Sequence, residues 1–101
     1  MDKQRIIENQ QGIIKHLDDF LGDGPKALTP ENFRQSRPLV ETLFYVSKKI
    51  GVDIKNTWTD YQMELIQSSG GPDYPSKGRL IYIKDHLIEL RDLLKAYNPS
   101  D

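Results

Sequence analysis

Two pairs of residues in this sequence have the types and spacing of metal ligands. Each pair is a histidine followed three residues later by a carboxylate: His16 with Asp19, and His86 with Glu89. Helical bundles that bind two metal ions use such pairs where both side chains point into the core. At 100° per residue, however, Asp19 lies roughly 160° and Glu89 roughly 130° from the centre of its helix's apolar face. We therefore expect solvent-exposed carboxylates beside histidines at the edge of the core, with no metal and no cofactor.

Residues for covalent catalysis or phosphoryl transfer have no recognisable arrangement. The chain lacks cysteine, which excludes disulfide bonds, thiolate metal sites and cysteine nucleophiles. Six residues separate Arg79 from His86, whereas helical ribonucleases of the HEPN class have four between their arginine and histidine. The glycines at 70 and 71 follow a helical pattern rather than a strand, which is the wrong context for a phosphate-binding loop. We predict that the protein is not an enzyme and has no catalytic residues.

One line of the second helical segment is the first candidate binding surface. Residues 24–51 carry five basic residues against two acidic ones, so this segment is basic. Opposite its apolar face, five side chains follow a 3-4-4-3 spacing: Arg34, Arg37, Glu41, Tyr45 and Lys48. Tyrosine and arginine are enriched where proteins contact partners. The line is either a partner-binding surface or a solvated helix face with one exposed tyrosine.

The segment from Pro72 to Arg79 is the second candidate surface. It is rich in turn-forming residues and carries Tyr74, Lys77 and Arg79. Binding residues are often found on loops that a rigid scaffold holds in place. Alternatively, the segment is a connector in which Tyr74 folds back onto the bundle.

These surfaces predict a small non-catalytic module that binds another protein stoichiometrically, as an inhibitor, an immunity-type protein or an adaptor or regulatory protein does. Its basic residues would suit a partner with an acidic surface. The alternative is a helical nucleic-acid- or nucleotide-binding protein, including a nuclease-like bundle, with Arg34, Arg37 and Arg79 on phosphates. The net charge of −1 argues against general binding of a phosphate backbone. A structural homo-oligomer is a third alternative.

Four helical segments have to position these residues. Apolar residues recur at the helical period from Asp2 to Leu21, from Pro30 to Ile50, from Ile54 to Ser69 and from about Lys77 to Tyr97. A chain of 101 residues fits one domain. The fold predicted for residues 1–97 is an all-α, up-and-down four-helix bundle, because short connections make sequential helices antiparallel neighbours. Residues 98–101 are predicted to form a frayed C-terminal tail.

Local signals refine this architecture. We expect Asp2, Thr29 and Asp53 to cap the first three helices, and Pro38 to kink or split the second one. The last helix is the most apolar and is expected to lie at the centre. Trp58 is expected to pack in the core beside the next aromatic residue of its line, one turn later.

No apolar run approaches the ~20 residues that a membrane-spanning helix needs. The N-terminal residues are polar and lack the apolar core of a signal peptide. We therefore expect a cytoplasmic protein without a membrane partner.

About a third of the chain resembles the AbiTii-type domains of bacterial abortive-infection proteins. The matching positions are Lys48-Lys49-Ile50-Gly51, Trp58, Glu64-Leu65 and Pro72-Asp73-Tyr74. The spacing from the tryptophan to the glutamate is longer here, and the first and last helical segments have no counterpart. The resemblance therefore assigns no family.

Overall fold

The computed structural model describes residues 2–99, which form four α-helices and no strand. The helices are α1 (Lys3–Leu21), α2 (Pro30–Lys49), α3 (Lys55–Ser68) and α4 (Lys77–Ala96). The predicted all-α four-helix bundle is confirmed, and every helix begins and ends within one residue of its expected bounds. Residues 1, 100 and 101 lie outside the described residues, so the predicted tail is seen only at Asn98 and Pro99, which are not helical.

Polar side chains accept hydrogen bonds at the start of three helices. Asp2 and Thr29 cap α1 and α2 as predicted, at 2.9 and 3.1 Å from the backbone nitrogen three residues later. Ser76 caps α4 in the same way at 3.2 Å. The prediction for Asp53 is wrong, because Ile54 occupies the N-cap position of α3 and makes no side-chain cap. Asp53 precedes that position, and its carboxylate reaches only the second backbone nitrogen after it, at 3.4 Å.

α2 continues without a break through Pro38, so the proline does not split it. Proline has no backbone N–H, and it therefore removes one hydrogen bond from the helix. Phe33 and Val40, on either side of the proline, are both fully buried. The apolar face of α2 thus stays in register with the core on both sides, and this packing offsets the lost hydrogen bond.

α4 is the central helix, as predicted. It packs most extensively against α1 and α3, and also against α2. Its core-facing side is almost inaccessible to solvent at Leu80, Ile83, Leu87, Leu90 and Leu94. Within residues 2–99, none of the helices is both long enough and apolar enough to cross a lipid bilayer.

Side-chain hydrogen bonds hold the C-terminal end of α4 in place. The Gln10 amide of α1 donates to the carbonyls of Leu94 and Tyr97, at 2.6 and 2.9 Å. The Tyr97 hydroxyl donates to the carbonyl of Ile50 at 2.8 Å. The next residue, Gly51, has a φ angle of +109°, which side-chain-bearing residues rarely adopt. One end of α4 is thereby joined both to α1 and to the connection between α2 and α3.

Candidate functional site

Arg34 binds the connection between α3 and α4 to the surface of α2. One of its terminal nitrogens, Nη1, donates to the backbone carbonyls of Pro72 and Tyr74, at 3.0 and 2.9 Å. Hydrogen bonds from a charged guanidinium are among the stronger ones in proteins. The two predicted binding surfaces, on α2 and at residues 72–79, are therefore in direct contact.

Arg37 extends this contact by one helical turn. Its Nε donates to Glu41 Oε2 at 3.0 Å, and its Nη1 donates to the Tyr74 hydroxyl at 3.3 Å. Burial lowers the pKa of Arg37, but the hydrogen bond to Glu41 and the nearby negative charges raise it, and the net pKa lies above its usual value. The ring of Tyr74 is half-buried against the core. The connection thus has the folded-back conformation, and the middle of the α2 line is partly covered.

Arg79 belongs to the first turn of α4 and joins it to α3, while Lys77 begins the helix and is exposed. The Nη2 of Arg79 donates to Glu64 Oε2 at 2.6 Å and to Gln67 Oε1 at 2.7 Å. The Glu64 side chain is only 8% exposed and also accepts from Ser68 at 2.7 Å. Sequence reasoning missed this buried carboxylate, although Glu64 follows core residue Tyr61 by three positions and so shares its helical face.

Tyr45 and Lys48 form the part of the α2 line that remains open. Tyr45 is 61% exposed, and it points away from the core as its spacing predicts. Lys48 is also exposed. The ammonium of Lys49 lies 5.6 Å from the centre of the Tyr45 ring, within cation–π range. An aromatic ring with a cation beside it thus projects from the last turns of α2.

A shallow apolar groove begins at Lys48, one helical turn after this tyrosine. It has a volume of about 420 Å³ and runs over the connection between α2 and α3. Its lining residues are Lys48, Val52, Asp53, Ile54, Lys55, Trp58 and Thr59. Val52 and Ile54 are buried and anchor the connection, whereas Trp58 is only half-buried. Trp58 packs against the core as predicted, with its ring 5.1 Å from that of Phe44, and it also forms one wall of the groove.

A second groove, of about 480 Å³, lies where α2 and α4 begin. It is lined by Arg34 and Lys77 and by N-terminal residues of both helices, which would suit an anion. It also contains Glu31 and Asp73, whose charges would repel an anion. Arg34 is already bound to two carbonyls, and the other two arginines of the phosphate-binding alternative are bound to carboxylates. These contacts weigh against that alternative.

The two histidines differ in their surroundings. His16 is exposed and Asp19 pairs with Lys26 at 3.8 Å. His86 is half-buried and Glu89 is exposed, so neither carboxylate of the two predicted pairs points into the core. The structure adds a residue that the sequence did not connect with them, because Asp60 of α3 lies close to both His86 and Glu89.

Comparison of the chain with protein-family models, with curated proteins and with solved structures gives no match. The side chains described above are therefore the basis for proposing a function.

Proposed function

We propose that the protein binds another protein stoichiometrically, through a surface that we call the Tyr45 surface. It consists of Tyr45, Lys48, Lys49, Lys55 and Trp58. The observation that carries the proposal is the exposed Tyr45 ring, which lies one helical turn before Lys48, a lining residue of an apolar groove. On this proposal the protein acts by occupying its partner, as an inhibitor, an immunity-type protein or an adaptor does, and not by catalysis.

The composition of this surface defines the partner's chemistry. Tyrosine is enriched among the few residues that supply most of the binding energy at an interface, because a large ring is removed from water at a small cost in side-chain entropy. The groove can accept an apolar side chain of the partner between Lys48 and Trp58. Lys48 and Lys55 line the groove, Lys49 lies beside the Tyr45 ring, and Asp53 is the acidic residue of the groove. An acidic rim around an apolar anchor on the partner would complement this arrangement.

Buried residues also hold the Tyr45 surface in a fixed conformation. It combines the end of α2, the connection to α3 and the first turns of α3, and the connection is fixed by the buried side chains of Val52, Ile54 and Ile50. A surface held in this way loses little conformational entropy on binding, which favours affinity.

Site-specific photo-crosslinking tests where the partner binds. A photoreactive phenylalanine analogue replaces Tyr45 in one sample and Tyr82 in another, in the cells that naturally make the protein. Tyr82 is the matched control, because it is 51% exposed and also lies beside a cation, with the Arg79 guanidinium 5.1 Å from its ring centre. A protein crosslinked from position 45 but not from position 82 supports the proposal. Crosslinks from position 82 alone, or to RNA, would contradict it.

The crosslinked partner then allows affinity to be measured. Tyr45→Ala is expected to weaken binding by about 30-fold, which corresponds to roughly 2 kcal/mol for a central interface tyrosine. The melting temperature should hardly change, since the ring faces away from the core. Tyr82→Ala should leave the affinity unchanged. If Tyr45→Ala instead lowered the melting temperature by many degrees and left binding intact, Tyr45 would be structural and the surface wrongly chosen.

A further inference from the structure

Three side chains with metal-binding groups meet where α3 and α4 pack together. They are Asp60 of α3 and His86 and Glu89 of α4, and one ligand atom of each lies within 4.8 Å of the other two. Asp60 and Glu89 are exposed, whereas the side chain of His86 is only 19% exposed. The cluster therefore lies on the outside of the bundle, with the histidine as its most buried member.

One nitrogen of His86 has no hydrogen-bond partner. Nδ1 has almost no solvent-accessible surface, and within residues 2–99 no atom forms a hydrogen bond with it. The nearest carboxylate oxygen of Glu89 is 3.9 Å away, which is too far for a hydrogen bond. Buried polar atoms in native proteins nearly always have a partner, so an unpaired one calls for an explanation. A metal ion bound between the imidazole and the carboxylates would supply the missing partner.

The spacing of the three groups is compatible with a shared ion. Zn²⁺ binds histidine nitrogen and carboxylate oxygen at about 2.0–2.2 Å, so two of its ligands in a tetrahedral site lie about 3.4 Å apart. The separation of 3.9 Å between His86 and Glu89 closes to that value with a small side-chain rotation. Asp60 and Glu89 are exposed and can rotate, while the more buried His86 fixes the position of the site.

We propose that Asp60, His86 and Glu89 bind one divalent transition-metal ion that joins α3 to α4. An imidazole favours ions such as Zn²⁺ over Mg²⁺ and Ca²⁺, which prefer oxygen ligands alone. The two carboxylates balance the charge of the ion. Three protein ligands leave at least one position for water. Sequence reasoning missed this site because it considered only pairs within one helix that point into the core.

The metal should stabilise the folded protein, because the unfolded chain does not bring α3 and α4 together. The other His-x-x-carboxylate pair is a natural control. His16 and Asp19 have the same spacing on α1. In the part of the chain that the structure describes, however, no third metal-binding side chain lies close to both of them.

The experiment is a calorimetric titration of the untagged protein with ZnCl₂ at neutral pH, with the melting temperature measured in parallel. We expect one equivalent of Zn²⁺ to bind and the melting temperature to rise with its concentration. Asp60→Asn, His86→Gln and Glu89→Gln should each weaken binding by about tenfold or more, as expected when a ligand is lost. His16→Gln should bind as tightly as the unmodified protein.

Several results would overturn this assignment. They are an absence of Zn²⁺ binding, binding that Asp60→Asn and Glu89→Gln leave unchanged, and binding that His16→Gln abolishes. Asp60 and Glu89 are exposed, so their amide variants are expected to fold, and circular dichroism checks this. Displacement of Zn²⁺ by an equal concentration of Mg²⁺ would show that the choice of metal is wrong.

Discussion

Tyr61 has a fully buried ring whose hydroxyl has no hydrogen-bond partner within residues 2–99. The ring stacks on Trp58 at 5.6 Å and contacts Phe44 at 4.9 Å, so its position is set by aromatic packing. Buried tyrosine hydroxyls usually reach a hydrogen-bond partner, and among the described residues this one does not. A buried hydroxyl that has lost water without gaining a partner is destabilising.

Tyr61→Phe is therefore expected to stabilise the protein. The substitution keeps the ring and removes the unpaired oxygen, which should raise the free energy of unfolding by about 1 kcal/mol. Urea denaturation at pH 7 measures this change. A loss of more than 1 kcal/mol would show that the hydroxyl has a partner in solution.

Tyr61 should also make the stability of the protein vary with pH in the alkaline range. Burial raises the pKa of Tyr61 well above its usual range, and the charge of Glu41 adds to the shift. Below about pH 10, Tyr61 is neutral in both the folded and the unfolded chain, so its ionisation takes nothing from the free energy of unfolding. Above that pH the unfolded chain ionises first, and stability should fall by up to about 1.4 kcal/mol per pH unit until the folded pKa is passed. Tyr61→Phe should lack this component, so the difference between the two pH profiles isolates it.

The bounds of the helices were predictable because the signals for them are local. Thr29 and Pro30 begin α2 with a cap and a first-turn proline, and Gly51 follows its end. The docking of the α3–α4 connection on α2 was not predictable in this way. Arg34 and Tyr74 are forty residues apart, and no periodicity in the sequence relates them. Asp60 and His86 likewise meet only because α3 packs on α4.

At the scale of these elements, Arg34→Ala is expected to release the connection at residues 70–76 while leaving the helices intact. The variant loses two hydrogen bonds from a charged donor, each worth about 1 kcal/mol or more at a partly exposed site. Backbone ¹⁵N relaxation should show increased motion at residues 70–76. Arg91→Ala is the matched control, because Arg91 joins α4 to Asp18 of α1 at 3.1 Å. Equal mobility of residues 70–76 in both variants would contradict the role assigned to Arg34.

The whole molecule depends on α4, since every other helix packs against it. Alanine substitutions at Ile83 and Ile81, two residues apart on this helix, test whether its buried face stabilises the fold. Ile83 is completely buried, whereas Ile81 is 60% exposed. Ile83→Ala should lower the free energy of unfolding by about 3–4 kcal/mol, because it removes buried apolar surface and leaves a cavity. Ile81→Ala should change it by no more than about 0.5 kcal/mol.

Chemical denaturation measures the free energy of unfolding of both variants. The transition is monitored by circular dichroism and, separately, by Trp58 fluorescence. Coincident transitions are expected in both variants, because Trp58 packs against the same core that α4 completes. Similar losses of stability in the two variants would mean that α4 is not central in solution.

The contact between Gly51 and Tyr97 implies that these two positions cannot vary independently in related sequences. A Cβ atom at position 51 would lie 2.5 Å from the Tyr97 hydroxyl, but 3.4 Å from the ring carbon that carries it. A lineage that loses the hydroxyl at position 97 thus becomes more permissive at position 51, where only the strain of the positive φ angle remains. Covariation of the two positions is the evolutionary signature to look for.

A double-mutant cycle tests whether the effects of substitutions at positions 51 and 97 depend on each other. Gly51→Ala should cost about 2–3 kcal/mol of stability in the natural chain, from backbone strain and the displaced tyrosine. Its cost should be about 1 kcal/mol smaller when Tyr97→Phe is already present. Gly12→Ala, in the exposed interior of α1 with nothing near its missing Cβ, should instead stabilise the protein by about 0.5–1 kcal/mol. Additive changes in the free energy of unfolding at positions 51 and 97 would mean that the two positions can vary independently.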